Sequence, residues 1–363
     1  MRRLFAIAGL LTIAGIVVGM FVAARQDDAR TMELTSWIPY WDQERALQSF
    51  RDHAELFRTV SLFWYYLDAN GVIQPYAAAG DSRALVAEVH QSGVQVFALV
   101  ANMPDFEEGG DWDAARVQRV IGTAAARAAH VRDLVALATE GGFDGIDIDY
   151  EALRADQCDD FTTFIRELAD ALHTQGKLLG VGLHPKTSEG NPAEDNGSHA
   201  QDWALLARLA DRLYLMSFGE HYAGGEPGPI ASLPWVERVV SYAVDDLGVP
   251  PDKLVLEWPF YAVEWVVSPD GGIQSTQDEL TLRDAEALRV AEGATVLWDD
   301  ASQSPSFRFV RDGAQHVVWF EDTRSLQAKL DLAQRYGIHH IAYWRFGGEA
   351  PALWDVLVAW TGV

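Results

Sequence analysis

Eight apolar runs, separated by segments of helical length, constrain the fold of this chain more than any other feature of its sequence. The segment 155–176 has a helical pattern, and the segment 232–248 ends at Gly248, which two prolines follow, as is typical of a helix end. A strand followed by a helix, repeated eight times, predicts an α/β fold, a (β/α)8 TIM barrel rather than a doubly wound sheet. The predicted strands are 33–41, 59–67, 94–103, 143–151, 177–185, 212–220, 253–261 and 339–347.

The connection between the seventh and eighth predicted strands departs from this alternation. It combines short alternating β patterns, broken by Gly and Asp turns, with the helical stretch 281–293. We therefore predict a barrel formed by residues 31–265 and 322–363, with a small α+β insertion subdomain at 266–321.

Residues 1–30 are predicted to be separate from the barrel. The uncharged apolar run 4–24 follows Arg2 and Arg3 and is long enough to span a bilayer as a helix. Since a cleavable signal peptide has a shorter apolar core of about 7 to 15 residues, the run favours a signal anchor that holds the protein to the membrane. Ala23 and Ala24 leave cleavage and secretion open as the alternative. In either case the positive N-terminus stays cytoplasmic and the remainder is extracytoplasmic.

An acidic composition narrows the classes of partner. The formal net charge of −25 argues against nucleic acid and fits a neutral substrate. Cys158 is the single cysteine, which excludes an intrachain disulfide and a cysteine-rich metal site. The sequence has no P-loop, GxSxG or HExxH motif, and we expect neither a cofactor nor a metal. The 13 tryptophans supply apolar faces for a core and for stacking on sugars.

Carboxylates interrupt the fourth predicted strand, "FDGIDIDYE" at 143–151. Because alternate side chains of a strand share a face, Asp147, Asp149 and Glu151 should point into the barrel, with Glu151 nearest the C-terminal rim. A solvated edge strand is the alternative. Like charges at close range raise the pKa of at least one carboxyl group. A general acid for glycosidic cleavage requires such a raised pKa, because it must keep its proton near neutral pH.

This strand resembles the DxxDxDxE motif of glycoside hydrolase family 18, the chitinase-like enzymes. The resemblance implies that Glu151 is the general acid/base, that Asp149 orients the 2-acetamido group of the substrate, and that Asp147 shares a proton with Asp149. Asp144, the first acid of the motif, is included among the substrate-binding residues. In this family the N-acetyl oxygen of the substrate serves as the nucleophile, so the product should retain its anomeric configuration.

Further segments are similar to a bacterial subgroup that includes spore-cortex and cell-wall peptidoglycan N-acetylglucosaminidases, among them "SWIPYWDQ" and "IAYWRFGGEAPALW". The resemblance implies that Trp344 forms the floor of the sugar subsite and that the insertion forms one wall of the cleft. Trp37 and Tyr40 are candidate sugar contacts, with core packing as the alternative. The predicted substrate-binding residues are Asp144, Trp344, Met216, Tyr261, Trp37, Tyr40 and Glu220.

The sequence departs from the family pattern on strands six and seven. The family usually carries Met-x-Tyr-Asp on strand six, whereas Met216 is followed here by Phe218 and Gly219, which lack the hydroxyl and the carboxylate. Glu220, His221 or Tyr222 could substitute from the adjacent loop. On strand seven, Glu257 would bring a new carboxylate into the barrel, either paired with Arg345 or altering substrate choice.

Together with the predicted export, the resemblance implies an exported, retaining glycosidase that cleaves β-1,4 linkages after N-acetylglucosamine in peptidoglycan or a chitin-like polymer. A chitinase-like carbohydrate-binding protein with impaired catalysis is the alternative that Phe218 and Gly219 motivate. An enzyme with unrelated chemistry on the same barrel is a third hypothesis, since a fold does not fix function.

Overall fold

The computed structural model of the protein describes residues 32–106, 108–190 and 197–362. The run 4–24, predicted to span a membrane, lies outside these ranges, so its role stays a prediction. Within the ranges, no helix is both long enough and apolar enough to cross a membrane.

Strands and helices alternate along the described chain. The strands are β1 (Glu33–Pro39), β2 (Phe57–Leu67), β3 (Ile73–Pro75), β4 (Gln95–Ala101), β5 (Gly145–Asp149), β6 (Leu178–Leu183), β7 (Arg212–Met216), β8 (Leu254–Pro259), β9 (Tyr261–Val267), β10 (Ile273–Thr281), β11 (Leu297–Asp299), β12 (Ser304–Arg311), β13 (Ala314–Trp319) and β14 (His340–Trp344). The α-helices are α1 (Gln43–His53), α2 (Ser82–Gln91), α3 (Ala114–Ile121), α4 (Ala124–Gly141), α5 (Cys158–Thr174), α6 (Trp203–Leu209), α7 (Leu233–Ser241), α8 (Leu282–Ala291), α9 (Thr323–Arg335) and α10 (Ala352–Thr361).

A closed parallel barrel is the main feature of the described chain. Its eight strands, counted within the described ranges, follow the order β1-β14-β8-β7-β6-β5-β4-β2, and β1 pairs with β2 to close the ring. The short β3 adds to β2 in the antiparallel direction. The prediction of a (β/α)8 barrel is therefore confirmed.

The helices cover the barrel because each buries one apolar stripe. On α5 the buried positions recur at intervals of three and four residues, the period that keeps side chains on one face of a helix. They are Phe161, Thr162, Phe164, Ile165, Leu168, Ala169 and Leu172.

Strand β5 has two chemically different faces. Ile146 and Ile148 are fully buried in the main hydrophobic core. Asp147 and Asp149, at the alternate positions, line a cavity at the C-terminal end of the barrel. The alternation of side chains along a strand thus places the acids inside the barrel, which rules out a solvated edge strand.

The connection between β8 and β14 forms a separate antiparallel sheet. Its five strands, within the described part of the chain, follow the order β10-β9-β13-β12-β11, and α8 packs against them. The sheet begins at Tyr261, earlier than the predicted boundary at residue 266. Only Phe260 separates β8 from β9. The alternation of apolar and polar residues therefore continues from β8 into β9, and no turn signal marks the start of the insertion in the sequence.

Candidate active site

A cavity of about 740 Å³ opens at the C-terminal ends of the barrel strands. This end carries the active site in enzymes of this architecture. Aromatic side chains dominate its walls, and the carboxyl groups of Asp147, Asp149, Glu151 and Glu257 lie among them. The aromatic lining residues are Trp37, Tyr40, Trp41, Phe63, Phe106, Trp112, Tyr214, Phe218, Tyr222, Tyr261 and Trp344.

Asp147 lies deepest among the acids of β5 and is only 1% exposed. Its Oδ2 accepts hydrogen bonds from Trp37 Nε1 at 3.1 Å and from Ser61 Oγ at 2.9 Å. Glycines of the neighbouring strand β6 leave room for both aspartates. A Cβ at Gly180 would lie 3.3 Å from Asp147 Oδ1, and one at Gly182 would lie 3.2 Å from Asp149 Oδ1.

Burial shifts the titration of both aspartates. Loss of solvation raises the pKa of Asp147 above its ordinary value, although its bonds to Ser61 and Trp37 oppose the shift. Loss of solvation also raises the pKa of Asp149, and the nearby Asp147 carboxylate adds to that shift. The two carboxyls therefore behave as a coupled pair in which one retains a proton when the other is ionised.

Glu151 lies two residues beyond β5, and its position is fixed by its backbone. Asn102, just past β4, accepts a hydrogen bond from Glu151 N at 2.8 Å and donates one to Glu151 O at 2.9 Å. Ala152 adopts a positive φ of 52°, which turns the chain away directly after Glu151. His184 Nε2 lies 3.8 Å from Glu151 Oε2, whose side chain is 21% exposed. Glu151 thus faces the cavity from a rigid support, at a position that solvent reaches.

Four aromatic rings form one wall of the cavity. The centroid of Trp344, at the end of β14, lies 5.9 Å from that of Trp37, 6.1 Å from that of Trp41 and 5.5 Å from that of Phe63. The peptide bond between Trp344 and Arg345 is cis. Such a wall offers flat apolar faces to a sugar ring.

Most of the residues predicted from the sequence meet in this cavity. Met216, Phe218 and Gly219 line it at the end of β7, and the Phe218 ring meets Tyr261 edge to face at 6.1 Å between centroids. The predicted site residues that line the cavity are Asp147, Asp149, Glu151, Trp344, Met216, Tyr261, Trp37 and Tyr40.

Two predicted substrate contacts lie outside the cavity and need correction. Asp144 precedes β5 at the opposite end of the barrel from the cavity, where its Oδ2 accepts a hydrogen bond from Val96 N and bonds His90 Nε2, each at 2.8 Å. Glu220 Oε2 accepts a hydrogen bond from Ser232 N at 2.8 Å, at the N-terminus of α7. Both carboxylates satisfy backbone donors and so stabilise local structure.

Of the two alternatives for Glu257, the structure does not show the pairing with Arg345, which forms an ion pair with Asp42. Arg345 Nη1 lies 2.9 Å from Asp42 Oδ2. Glu257 is 4% exposed and lines the cavity, and burial is the main cause of a pKa well above its ordinary value. The negative charges of Asp149, Asp147 and Glu151 raise that pKa further.

Glu257→Gln is expected to raise the free energy of unfolding at pH 7, and this advantage should shrink as the pH falls toward 4. The folded wild type keeps a proton on Glu257 that the unfolded chain releases above its ordinary pKa. The contribution of this group is therefore complete below the unfolded pKa and is lost as the pH rises, by at most about 1.4 kcal/mol per pH unit. Denaturant unfolding of both proteins across this range measures the difference. A difference that is constant with pH would mean that Glu257 titrates alike in both states.

Sequence reasoning missed several residues that shape the site. Ser61 lies on the inner face of β2 and contacts Asp147, and Asn102 lies just beyond the end of β4 and contacts Glu151. A polar residue within or directly after an apolar strand is the sequence signal that could have identified both. Phe63 and Trp112 lie in apolar surroundings and are indistinguishable from core residues by sequence. Within the described ranges, no cluster of His, Cys, Asp and Glu is arranged to hold a metal ion.

Comparison with known proteins identifies relatives of this architecture. The sequence profile described as "Glycosyl hydrolases family 18" matches residues 107–349, more than half of the chain. A "Cortical fragment-lytic enzyme" of Bacillus subtilis (strain 168) is 29% identical over 230 residues, covering 62% of this chain and 52% of that protein. The chain thus spans about half the length of that curated relative.

Solved structures with the same fold include a spore cortex-lytic enzyme and a chitinase. The spore cortex-lytic enzyme SleL of Bacillus cereus has a TM-score of 0.81 at 22% identity, covering 91% of this chain and 74% of that one. A chitinase of Chromobacterium violaceum has a TM-score of 0.77 at 26% identity, covering 92% of this chain and 99% of that one.

Proposed function

The chain belongs to the glycosyl hydrolases of family 18 and is a glycosidase, and from this premise we propose that it cleaves β-1,4 linkages after N-acetylglucosamine in peptidoglycan or a chitin-like polymer. The observation that carries the proposal is the row of Asp147, Asp149 and Glu151, which opens into a cavity with aromatic walls. Such walls suit the apolar faces of sugar rings. The segments that resemble the cell-wall subgroup favour peptidoglycan.

The proposed reaction proceeds in two displacements at one carbon. Glu151 donates its proton to the glycosidic oxygen as the bond from that oxygen to the anomeric carbon breaks. The acetamido oxygen of the same sugar bonds to the anomeric carbon and forms an oxazolinium ion, while Asp149 accepts a hydrogen bond from the acetamido N–H. A water molecule then attacks the anomeric carbon and gives a proton to the Glu151 carboxylate. The acetamido group re-forms, and the configuration is retained.

The buried pair of Asp147 and Asp149 suits a reaction in which positive charge develops on the acetamido group. One proton shared between Asp147 and Asp149 leaves a single negative charge beside the acetamido group, where positive charge develops as the ring forms. The hydrogen bonds from Trp37 and Ser61 stabilise the negative charge on the Asp147 carboxylate when the proton moves to Asp149. Glu151, nearer to solvent, exchanges its proton with the leaving group and the attacking water.

The direct test is the release of reducing ends by the purified protein from peptidoglycan and from chitooligosaccharides. Release from peptidoglycan at the higher rate is the expected result. Faster release from chitooligosaccharides would assign the chain to chitin-like substrates. No release from either polymer, with tight binding of oligosaccharides, would contradict the proposal and favour a carbohydrate-binding protein. The position of Phe218 and Gly219 in the cavity wall is the observation that favours this second candidate.

We further propose that the barrel works outside the cytoplasmic membrane, anchored by residues 4–24 or secreted after cleavage. The uncharged run behind Arg2 and Arg3 supports this. Cell fractionation with alkaline extraction separates the two cases, because an anchored protein stays with the membranes. Recovery in the cytoplasm would contradict both.

A further inference from the structure

In the described part of the chain, the cavity wall formed by β7 and β8 carries two polar groups of unassigned role, the Tyr214 hydroxyl and the Glu257 carboxyl. On the β7 side, the Phe218 ring and Gly219 offer no side-chain hydrogen-bond donor. On β8, Glu257 is paired in register with Met216, and its carboxyl lines the same cavity. The Glu257 carboxyl therefore lines the same cavity as Phe218 and Gly219, whose side chains supply no hydrogen-bond donor.

The surroundings of Glu257 favour its neutral form. On β5 and just beyond it, Asp147, Asp149 and Glu151 face the same cavity, and all three oppose ionisation of Glu257. On β7, Tyr214 is the nearby titratable group; burial is the main cause of its raised pKa, and the charge of Glu257 adds a smaller contribution in the same direction. On β14 the register partner is Ala342, which carries no charge. Within the described ranges, no cationic side chain is paired with the Glu257 carboxyl, so little offsets the cost of ionising it.

A neutral carboxylic acid differs from a carboxylate because it carries an O–H that can donate a hydrogen bond. A 2-acetamido group presents one donor, its N–H, and one acceptor, its carbonyl oxygen. The cavity offers the matching pair, because the Asp147–Asp149 pair carries a negative charge that accepts and Glu257 carries a proton that it can donate. A hydroxyl group of the sugar could use either partner, whereas the amide uses both at once.

We infer that Glu257 contacts the substrate and donates a hydrogen bond to the carbonyl oxygen of the bound 2-acetamido group, in place of the donor that Phe218 lacks. The inference rests on the proposed function, because it names the part of the substrate that this side of the site recognises. No bond is broken in this step, and the proton stays on Glu257. The contact holds the carbonyl oxygen toward the anomeric carbon, so it acts mainly on kcat.

The test compares Glu257→Gln with Glu257→Leu in the full chain. Glutamine keeps the side-chain length and an N–H donor, whereas leucine keeps the bulk without a donor. On chitooligosaccharides, Glu257→Leu should lower kcat by about 100-fold or more with a smaller change in KM, since loss of one such donor has that effect. Glu257→Gln should recover most of this loss.

Equal kcat values for the wild type and Glu257→Leu would overturn the inference while leaving the proposed function intact. Equal losses in the Gln and Leu variants would also overturn it, because a donor would then not matter. Thermal melts verify folding, and Glu257→Met replaces the leucine variant if the latter does not fold.

A binding measurement keeps the inference testable even if the wild type proves inactive. Calorimetry on Glu151→Gln compares an N-acetylglucosamine oligomer with its de-N-acetylated counterpart of equal length. We expect the preference for the acetylated oligomer to fall by at least about tenfold when Glu257→Leu is added, since a buried partner is then left without its hydrogen bond. An unchanged preference would contradict a contact to the acetamido group.

Discussion

Replacing Glu151 by glutamine is expected to lower kcat on chitooligosaccharides by about 10²- to 10⁴-fold, the range that positioned general acids contribute. The amide preserves the size and polarity of the side chain but has no acidic proton for the leaving oxygen. Asn102 holds the backbone of residue 151 through both its N–H and its carbonyl, so the substitution should leave the geometry of the site unchanged. Reducing-end assays measure kcat, and calorimetry should show little change in oligosaccharide affinity.

Glu220→Gln is the matched control for this prediction. Its carboxylate lies outside the cavity and accepts a hydrogen bond from Ser232 N, so kcat should stay at the wild-type value. If Glu151→Gln were as active as the wild type, Glu151 would have no part in the mechanism. If both variants lost activity equally, the effect would reflect a general loss of structure.

Replacing Asp149 by asparagine is expected to move activity and stability in opposite directions. Activity should fall by about 10²- to 10³-fold in kcat, because asparagine cannot carry the negative charge that faces the developing positive charge. The free energy of unfolding at pH 7 should stay equal or increase. Burial and the Asp147 carboxylate raise the pKa of Asp149, so ionising this group in the folded protein is costly. Steady-state kinetics and denaturant unfolding measure the two effects.

Asp144→Asn, just before the same strand, should show the reverse pattern. The Asp144 carboxylate bonds Val96 N and His90 outside the cavity, so its loss should reduce stability while kcat is largely kept. A loss of stability in Asp149→Asn comparable to that in Asp144→Asn would mean that Asp149 has a structural rather than a chemical role.

The period of two along 143–151 was sufficient to predict the position of the acids. Because side chains alternate between the two faces of a strand, Asp147 and Asp149 share the inner face whatever the conformation of the neighbouring loops. The structure shows both residues in the cavity. Asp144 belongs to the same sequence motif, but it precedes the strand. Its partners come from β4 and α2, elements distant in sequence, and no local pattern indicates them.

The directions of side chains in the loops beyond the strand ends are less predictable from the sequence. Glu220 and Tyr222 follow β7 within six residues, yet Glu220 turns toward Ser232 while Tyr222 lines the cavity. The direction of each side chain there depends on backbone dihedral angles such as the positive φ of Gly219, which a pattern of polar and apolar residues does not encode. On β8, alternation groups Glu257 with Pro259 without deciding which face points inward, and the structure places Glu257 in the cavity. Its charge state depends on burial and on acids from another strand, which only the folded structure brings together.

The most direct test of substrate-assisted cleavage compares two oligosaccharides of equal length, a chitooligosaccharide and its fully de-N-acetylated counterpart. If cleavage is substrate-assisted, the wild-type protein should cleave only the acetylated one. Proton NMR should show the β-anomer of the new reducing end first, before mutarotation, because the acetamido oxygen attacks the anomeric carbon before water does. Cleavage of both oligosaccharides at similar rates, or first appearance of the α-anomer, would contradict substrate-assisted cleavage.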